Sequence, residues 1–414
     1  MIRLARFSLA MPKSQLRLAG AVAIGLASML GAGVFVVFRE AYSIAAGFIF
    51  AAIGLAAVTA TLNAASVYRL AQAVDRPGGI YSYSRVYLND SASFLAGFAF
   101  VFGKIASIAA ISLVFEEYVL PSVPFWPAAG AIVALTLVNI LGINRTAFVA
   151  AILSFITVGF LSLVVLAGAV GPNHLEQALA VMPSQQPVVA VVQGACLLFF
   201  AFAGYARVAT LGTEVSTPKR NIPRAIAISL ATVLVLYFAL AMQLLRSLGS
   251  GLNSSKAPVA DLAGRLVSGM PVWLPATVAA MASLGSMLAL LAGVSRTAAT
   301  MSEDREFPAL FAARNSKGSP WVAELVIALG AIVLVGIGDL SWIIGFSSFS
   351  VLFYYAIGHL SALRQAGARI GQRVIAIAGL ALCVTLSFAA PGPAVPVSVG
   401  VLALVLVARR WLKR

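Results

Sequence analysis

The chain has 414 residues, of which 61% are hydrophobic and only 10% charged, with a mean hydropathy of +1.00. A soluble domain carries about a quarter of its residues as charges, so this composition excludes a water-exposed globule. The net charge of +15 and pI near 10.4 would suit a nucleic-acid binder, but the basic residues lie in short clusters between apolar runs, not along one face or tail, and no nucleic acid is expected as a partner.

In chain order, residues 1–16 form a basic segment. Arg3, Arg6, Lys13 and Arg17 lead straight into a full-length apolar stretch, so no cleavable leader is expected. Apolar runs about twenty residues long then recur, the length that crosses a hydrocarbon core of ~30 Å. In lipid only helices or closed barrels satisfy their own backbone, and solid apolar runs without a period of two select helices. The fold class is therefore all-α integral membrane. Twelve transmembrane helices are expected at 17–38, 43–67, 91–118, 126–142, 147–170, 188–212, 222–245, 272–300, 321–338, 340–362, 372–390 and 393–411.

The loops test this assignment, because Lys and Arg concentrate on the cytoplasmic side. An N-terminus inside places Arg69, Arg76, Arg85, Arg145, Lys219, Arg220, Arg224, Arg305, Arg314, Lys317, Arg364, Arg369, Arg373, Arg409, Arg410, Lys413 and Arg414 inside as well. With the N-terminal four, that is about twenty-one of the 28 basic residues. The opposite loops hold Arg39, Arg246, Lys256 and Arg265. Both termini are expected in the cytoplasm, with the chain in the cell (inner or plasma) membrane. Two outer loops are longer, 171–187 and 247–271, and a short surface helix is expected around 258–268.

Two spans are interrupted. The first contains Ser-Met-Leu-Gly-Ala-Gly-Val-Phe at 28–35, and the sixth contains Phe-Phe-Ala-Phe-Ala-Gly-Tyr at 199–205. Glycine costs about 1 kcal/mol in a helix relative to alanine, so the paired Gly31 and Gly33 weaken the first span halfway across. One such motif alone is more often close helix packing. Two in matching helices of two halves point to a transport site. The division is 17–170 for a first five-helix repeat, 188–362 for a second, and 372–411 for helices eleven and twelve. Five is odd, so the second repeat runs inverted. Broken helices free N–H and C=O groups in mid-membrane; half-helix N-termini favour a carboxylate and freed carbonyls an ammonium. A zwitterion such as an α-amino acid matches both.

These motifs resemble the amino acid–polyamine–organocation transporters, which have the LeuT-like fold of a 5+5 inverted repeat. Further segments carry the likeness: Pro-Gly-Gly-Ile-Tyr-Ser-Tyr at 77–83, Gly-Thr-Glu-Val-Ser-Thr-Pro-Lys-Arg-Asn-Ile-Pro-Arg at 212–224, Gly-Val-Ser-Arg at 293–296 and Met-Ser-Glu-Asp-Arg-Glu-Phe-Pro at 301–308. The resemblance covers residues 20 to about 365; beyond that only hydropathy matches. It implies a substrate site at Ala27, Ser28, Gly31, Ala32, Gly33, Phe200, Phe202, Ala203 and Gly204. There the substrate carboxylate meets N–H groups at Gly31–Gly33, its amine meets carbonyls near Ala27 and Phe202, and Phe200 gates the site. The chain departs from the family at Ala206 and Arg207, where an acidic residue is usual, and its fifth span lacks the lysine of some proton-coupled members.

An ionisable side chain at mid-span is a functional candidate. Lys104 stands in the middle of the third span. It can load and release a proton, or supply a fixed charge where relatives bind sodium; the bland alternatives are a lysine bonded to carbonyls or one snorkelling to the interface. Arg207 stays charged and cannot carry a coupled proton. It pairs with a substrate carboxylate, with Glu116 or Glu117, or points into a vestibule; a gating or structural role is favoured. Glu214, Arg296 and Asp304 are placed at helix ends and in a loop near the inner gate. Cys196 and Cys383 read as small hydrophobes. No metal-ligand cluster and no Ser/His/Asp set from His174 and His359 suggests an enzyme, and no cofactor is expected.

The expected function is a secondary active transporter working by alternating access. Proton-coupled uptake (symport) of a small or apolar amino acid is favoured. Exchange or export, and a non-transporting membrane scaffold or sensor, are the alternatives.

Overall fold

The computed structural model describes residues 16–31, 33–74, 78–141, 146–168, 171, 173–205, 208, 215–267, 269–271 and 273–412. The first half comprises α1 (Leu18–Met29), α2 (Gly33–Ala45), α3 (Ile49–Ala73), α4 (Ile80–Tyr87), α5 (Asp90–Val119), α6 (Trp126–Ile140) and α7 (Thr146–Gly168). A short α8 (Leu175–Leu179) leads to α9 (Pro187–Phe202), which ends in a tight turn at Ala203–Tyr205. There follow α10 (Pro218–Leu248), α11 (Pro258–Leu266), α12 (Trp273–Glu303), α13 (Trp321–Ile337), α14 (Leu340–Arg364), α15 (Ile370–Phe388) and α16 (Ala394–Leu412). Among the described residues the only strand-like pairing is a single bridge between Leu16 and Val215, so the fold is all-α.

Seven stretches are long and apolar enough to cross a membrane, and five further apolar helices of 10–17 residues fall on the other expected spans. Most boundaries follow simple local chemistry. The Asn89 side chain accepts the Ala92 N–H at 2.8 Å to start α5, and Asp339 accepts that of Trp342 at 2.9 Å to start α14. Proline stands in the first turn of α6, α9, α10 and α11, where its missing N–H costs nothing. The short helix expected in the loop 247–271 is α11. Two helices fall where loops were expected: α8, and α4, which lies between the second and third spans.

The first expected span is two helices. α1 stops at Met29, and α2 begins at Gly33; Ala32 lies outside the described residues. The sixth is likewise interrupted, α9 giving way at Ala203 to a 3₁₀ turn. The middle of the molecule belongs to α5, which is buried along most of its length and packs most extensively on α14 and α12. At the periphery, α7 turns Phe155, Leu163 and Leu166 outward, and α13 turns Leu329 and Val333 outward. Side chains of that kind face lipid without penalty.

Away from the breaks, a polar knot joins α3, α14 and α15. His359, fully buried, has Nε2 2.7 Å from Asn63 Oδ1 and Nδ1 3.0 Å from Ser66 Oγ. The Cys383 thiol donates to the same Asn63 oxygen at 3.1 Å, so this cysteine is a hydrogen-bond donor rather than only a small hydrophobe. The Ser66–His359–Asn63 chain ties α3 to α14. Gly379 lies flat on the imidazole: a Cβ there would stand 2.1 Å from His359 Cε1. Gly379→Ala is expected to cost about 1–3 kcal/mol through overpacking, read as a lower melting temperature in detergent; an unchanged melting temperature would show that α15 is not seated on this ring.

Candidate functional site

The two interruptions meet. Gly204, in the turn after α9, lies against the last residues of α1 so closely that a Cβ on it would stand 2.3 Å from the Ser28 carbonyl carbon and 2.5 Å from Met29 N. Gly33, at the start of α2, touches α9 in the same way, its virtual Cβ being 3.2 Å from the Phe200 ring and 3.3 Å from Ala201 Cα. Gly31 abuts α12, with a virtual Cβ 2.3 Å from Ser286 Oγ. Glycine is required at this crossing for close backbone approach rather than for an unusual φ.

A helix that stops in mid-membrane leaves carbonyls without intrahelical partners. Side chains from neighbouring helices take them up. The Tyr237 hydroxyl, on α10, donates to the Met29 carbonyl at 2.5 Å and lies 3.3 Å from that of Ala201, so one phenol spans both broken helices. Its ring is held between Phe202, at 5.0 Å between centroids, and Phe38, at 5.8 Å. Lys104, 4% exposed, donates from Nζ to the Ala203 carbonyl at 3.4 Å. Beside it Ser107 and Ser347 share a hydroxyl–hydroxyl bond of 2.7 Å between α5 and α14.

Around the crossing lies a narrow cavity with about 20 Å³ of free space, room for about one water molecule. Its wall combines Ser28, Gly31, Gly33, Phe200 and Gly204 with Lys104, Ser107 and Ser286. Ser28 Oγ and Ser286 Oγ are buried and make no hydrogen bond among the described residues. Among the described residues no Asp or Glu lines this space. The cavity therefore offers the first turn of a helix (α2), one ammonium and free hydroxyls, set against the apolar Phe200, Ile111 and Leu290. The other groove of note, between α1, α7 and α10, is walled only by apolar side chains such as Leu18, Val22, Phe155 and Ile228.

Of the residues expected at the site, Ser28, Gly31, Gly33, Phe200 and Gly204 share this cavity with Lys104. Ala203 contributes through its carbonyl to Lys104, whereas Phe202 turns its ring onto Tyr237 and Ala27 is buried without lining the space. Arg207 and Glu214 lie outside the described residues. Glu117 is engaged by Arg39 at 3.7 Å, and Glu116 accepts backbone N–H groups near Phe125 and Ala128. Arg296 is exposed on α12, ten residues beyond Ser286, roughly 15 Å along the helix.

Polar clusters stand near the two ends of α5. At one, Arg39 joins Glu117 and the Ser255 carbonyl, and the Tyr118 hydroxyl donates to the Phe35 carbonyl at 2.9 Å. At the other, Arg85 on α4 pairs with Asp304 at 2.5 Å and with Glu306 and Asp90 at 3.1 Å each. Arg409 on α16 grips Glu306 with two bonds of 2.7 and 2.9 Å and covers the Phe94 ring. The Tyr81 hydroxyl donates to Asp304 at 2.8 Å; burial first, and that carboxylate second, push its pKa above the ordinary tyrosine range. Near this end Ser216 N donates to the Leu16 carbonyl at 2.9 Å, tying the start of α1 to the segment before α10.

Sequence reasoning missed Tyr237, Ser286, Glu306 and Arg409. Glu306 stands in a segment quoted for its likeness to a known family, so a signal existed; nothing local marks Tyr237 or Ser286 among the other hydroxyl-bearing residues of long apolar helices.

Residues 16–408 match the family described as amino acid permease. An uncharacterized transporter of Mycobacterium tuberculosis is 40% identical over 396 residues, 94% of this chain and 89% of that protein. A chloroplastic cationic amino acid transporter of Arabidopsis thaliana is 26% identical over 83% of this chain and 64% of its own length. A low-affinity putrescine importer of Escherichia coli is 25% identical over 85% of this chain and 81% of its own.

Proposed function

The chain belongs to the amino acid permease family, transporters rather than enzymes, and on that premise we propose that it is a secondary active amino acid transporter working by alternating access. The observation that carries this is the meeting of two broken helices at Gly204 and Ser28, beside a cavity lined by both. In this reading the α-carboxylate of the substrate lies at the first turn of α2 and its ammonium at carbonyls freed by the breaks. The helices form a 5+5 inverted repeat, 17–170 and 188–362, followed by the helices of 372–411. The protein sits in the cytoplasmic membrane with both termini inside.

The basic-rich end bearing Arg85, Asp304, Glu306 and Arg409 is then the cytoplasmic gate, and the Arg39–Glu117 end the outer one. Opening one lock while the other stays shut exposes the cavity to one side at a time. Arg207, Glu214 and Arg296 belong to the inner gating region. Uptake is coupled to protons through Lys104, which trades its bond to the Ala203 carbonyl for a load during the cycle.

Purified protein in proteoliposomes is expected to accumulate labelled amino acid when an inward proton gradient is imposed and not without it. Lys104→Ala is expected to reduce gradient-driven accumulation at least tenfold while exchange across preloaded vesicles continues. Retention of the wild-type pH dependence in this variant would remove Lys104 from coupling. Accumulation only by exchange would make the protein an exchanger or exporter, and silence in every format would favour a scaffold or sensor.

A further inference from the structure

The cavity carries a charge that a simple zwitterion leaves unanswered. Lys104 makes one hydrogen bond, 3.4 Å to the Ala203 carbonyl, and no ion pair among the described residues. An ammonium has three donors, and among the described residues only one of them finds an acceptor. Ser28 Oγ and Ser286 Oγ, in the same wall, are also buried without partners. Three polar groups able to donate thus line one space, with no carboxylate among its described lining residues. A buried polar group without a partner is costly, and a buried unpaired charge more so.

A substrate supplies what is lacking. Its α-carboxylate is served by the first turn of α2, where Gly33 lines the cavity. Its ammonium needs carbonyls rather than donors. The remaining donors, Lys104 Nζ with the Ser28 and Ser286 hydroxyls, call for a second acceptor carried on the substrate side chain. We infer that the preferred substrate is an amino acid with an anionic side chain, whose second carboxylate pairs with Lys104 and bonds to the Ser28 and Ser286 hydroxyls. This inference rests on the transporter reading above and narrows it. It departs from the apolar side chain suggested by Ala27, Phe200, Phe202 and Ala203, which would leave all three donors unsatisfied.

Two consequences follow from charge alone. A cationic side chain would place a second positive charge against Lys104 with no acid among the described lining residues to offset it, so lysine and diamines are disfavoured, unlike in the cationic amino acid transporter and the putrescine importer to which the chain is similar. A proton on Lys104 and a carboxylate on the substrate also stabilise each other, so proton and substrate enter as a pair whose charges cancel.

The experiment compares gradient-driven uptake of L-glutamate and L-aspartate with that of L-glutamine, L-asparagine and L-lysine in proteoliposomes. Each acid and its amide have nearly the same shape, so their ratio reads the charge. Uptake of the acids at least tenfold above their amides, with lysine at background, is expected. In counterflow exchange across preloaded vesicles, which needs no gradient, the acid-to-amide ratio should fall to about one in Lys104→Gln and stay at the wild-type level in Lys104→Arg, whose guanidinium keeps the charge. Amides moving as well as acids in the wild type would overturn the inference and leave the transporter reading standing, as would an acid-to-amide ratio unchanged in Lys104→Gln. Failure of every amino acid to move, in uptake and in exchange, would overturn the transporter reading itself. The wild-type ratio decides the matter even where a variant does not fold.

Discussion

Replacing Gly204 with alanine is expected to reduce transport at least about a hundredfold while leaving the protein recoverable from the membrane. The added Cβ would lie 2.3 Å from the Ser28 carbonyl carbon and oxygen and 2.5 Å from Met29 N. These are backbone atoms at the end of α1 and cannot rotate out of the way. The turn after α9 must then retreat from α1, which pulls the Ala203 carbonyl from Lys104 and the Ala201 carbonyl from Tyr237. Overpacking a tight contact costs about 1–3 kcal/mol, and a factor of a hundred in affinity is about 2.7 kcal/mol. The neighbouring glycines set a graded comparison. Gly31→Ala meets Ser286 Oγ at 2.3 Å, which can rotate away, and Ser286 Cβ at 2.5 Å, which must shift with its helix, while Gly33→Ala meets a ring edge at 3.2 Å. The loss of uptake should therefore fall in the order Gly204, Gly31, Gly33. Wild-type uptake by Gly204→Ala would mean that the two breaks are not held together during transport.

Glu306→Ala should be the most destabilising single change at the gate distant from Arg39. The Glu306 side chain is wholly shielded from solvent and is shared by Arg85 and Arg409. Removing one partner from a buried ion pair costs about 3–5 kcal/mol, because the charges left behind have lost their water. Here the guanidiniums keep some exposure, 20% for Arg85 and 10% for Arg409, so the lower end, about 3 kcal/mol, is expected. Arg85 retains Asp304 and Asp90, while Arg409 is left with the Ser91 hydroxyl and the face of Phe94. The deficit therefore falls on the seating of α16. A fall of several degrees in melting temperature in detergent, with Arg409→Ala giving a smaller fall, is the expected result. An unchanged melting temperature in Glu306→Ala would show that these pairs are surface decoration.

The long helices were legible because hydropathy and end signals agree. The span expected at 91–118 is α5, Asp90–Val119, opened by an asparagine cap whose side chain does what that residue type does best. The first break was legible for the converse reason, since the pair Gly31 and Gly33 weakens a helix in mid-span, and the second, with the single Gly204, through its matching place in the second half. α4 was not legible, because its eight residues, including Ser82, Ser84 and Arg85, have neither the length nor the apolar surface to announce a helix. It holds its shape by packing on α5 and α14 and by the carboxylates around Arg85. Tyr237 and Ser286 were invisible for a different reason: each takes its role from the chain it happens to face, dozens of residues away. Glu306 and Arg409 are 103 positions apart, and no local pattern relates them. Lys104 was recognised as unusual from its position alone; its direction, toward the Ala203 carbonyl rather than out to an interface, is a tertiary fact.

The most direct test of the site is substrate protection of a thiol placed in it. Ser286→Cys, in a chain whose buried Cys196 and Cys383 are replaced by alanine and serine, would be labelled with a water-soluble maleimide in proteoliposomes that transport. If the cavity at the crossing holds the substrate, a saturating concentration of a transported amino acid should slow the labelling at least fivefold, and an untransported one should not. Equal labelling rates with and without that substrate, in vesicles that still transport it, would place the binding site elsewhere.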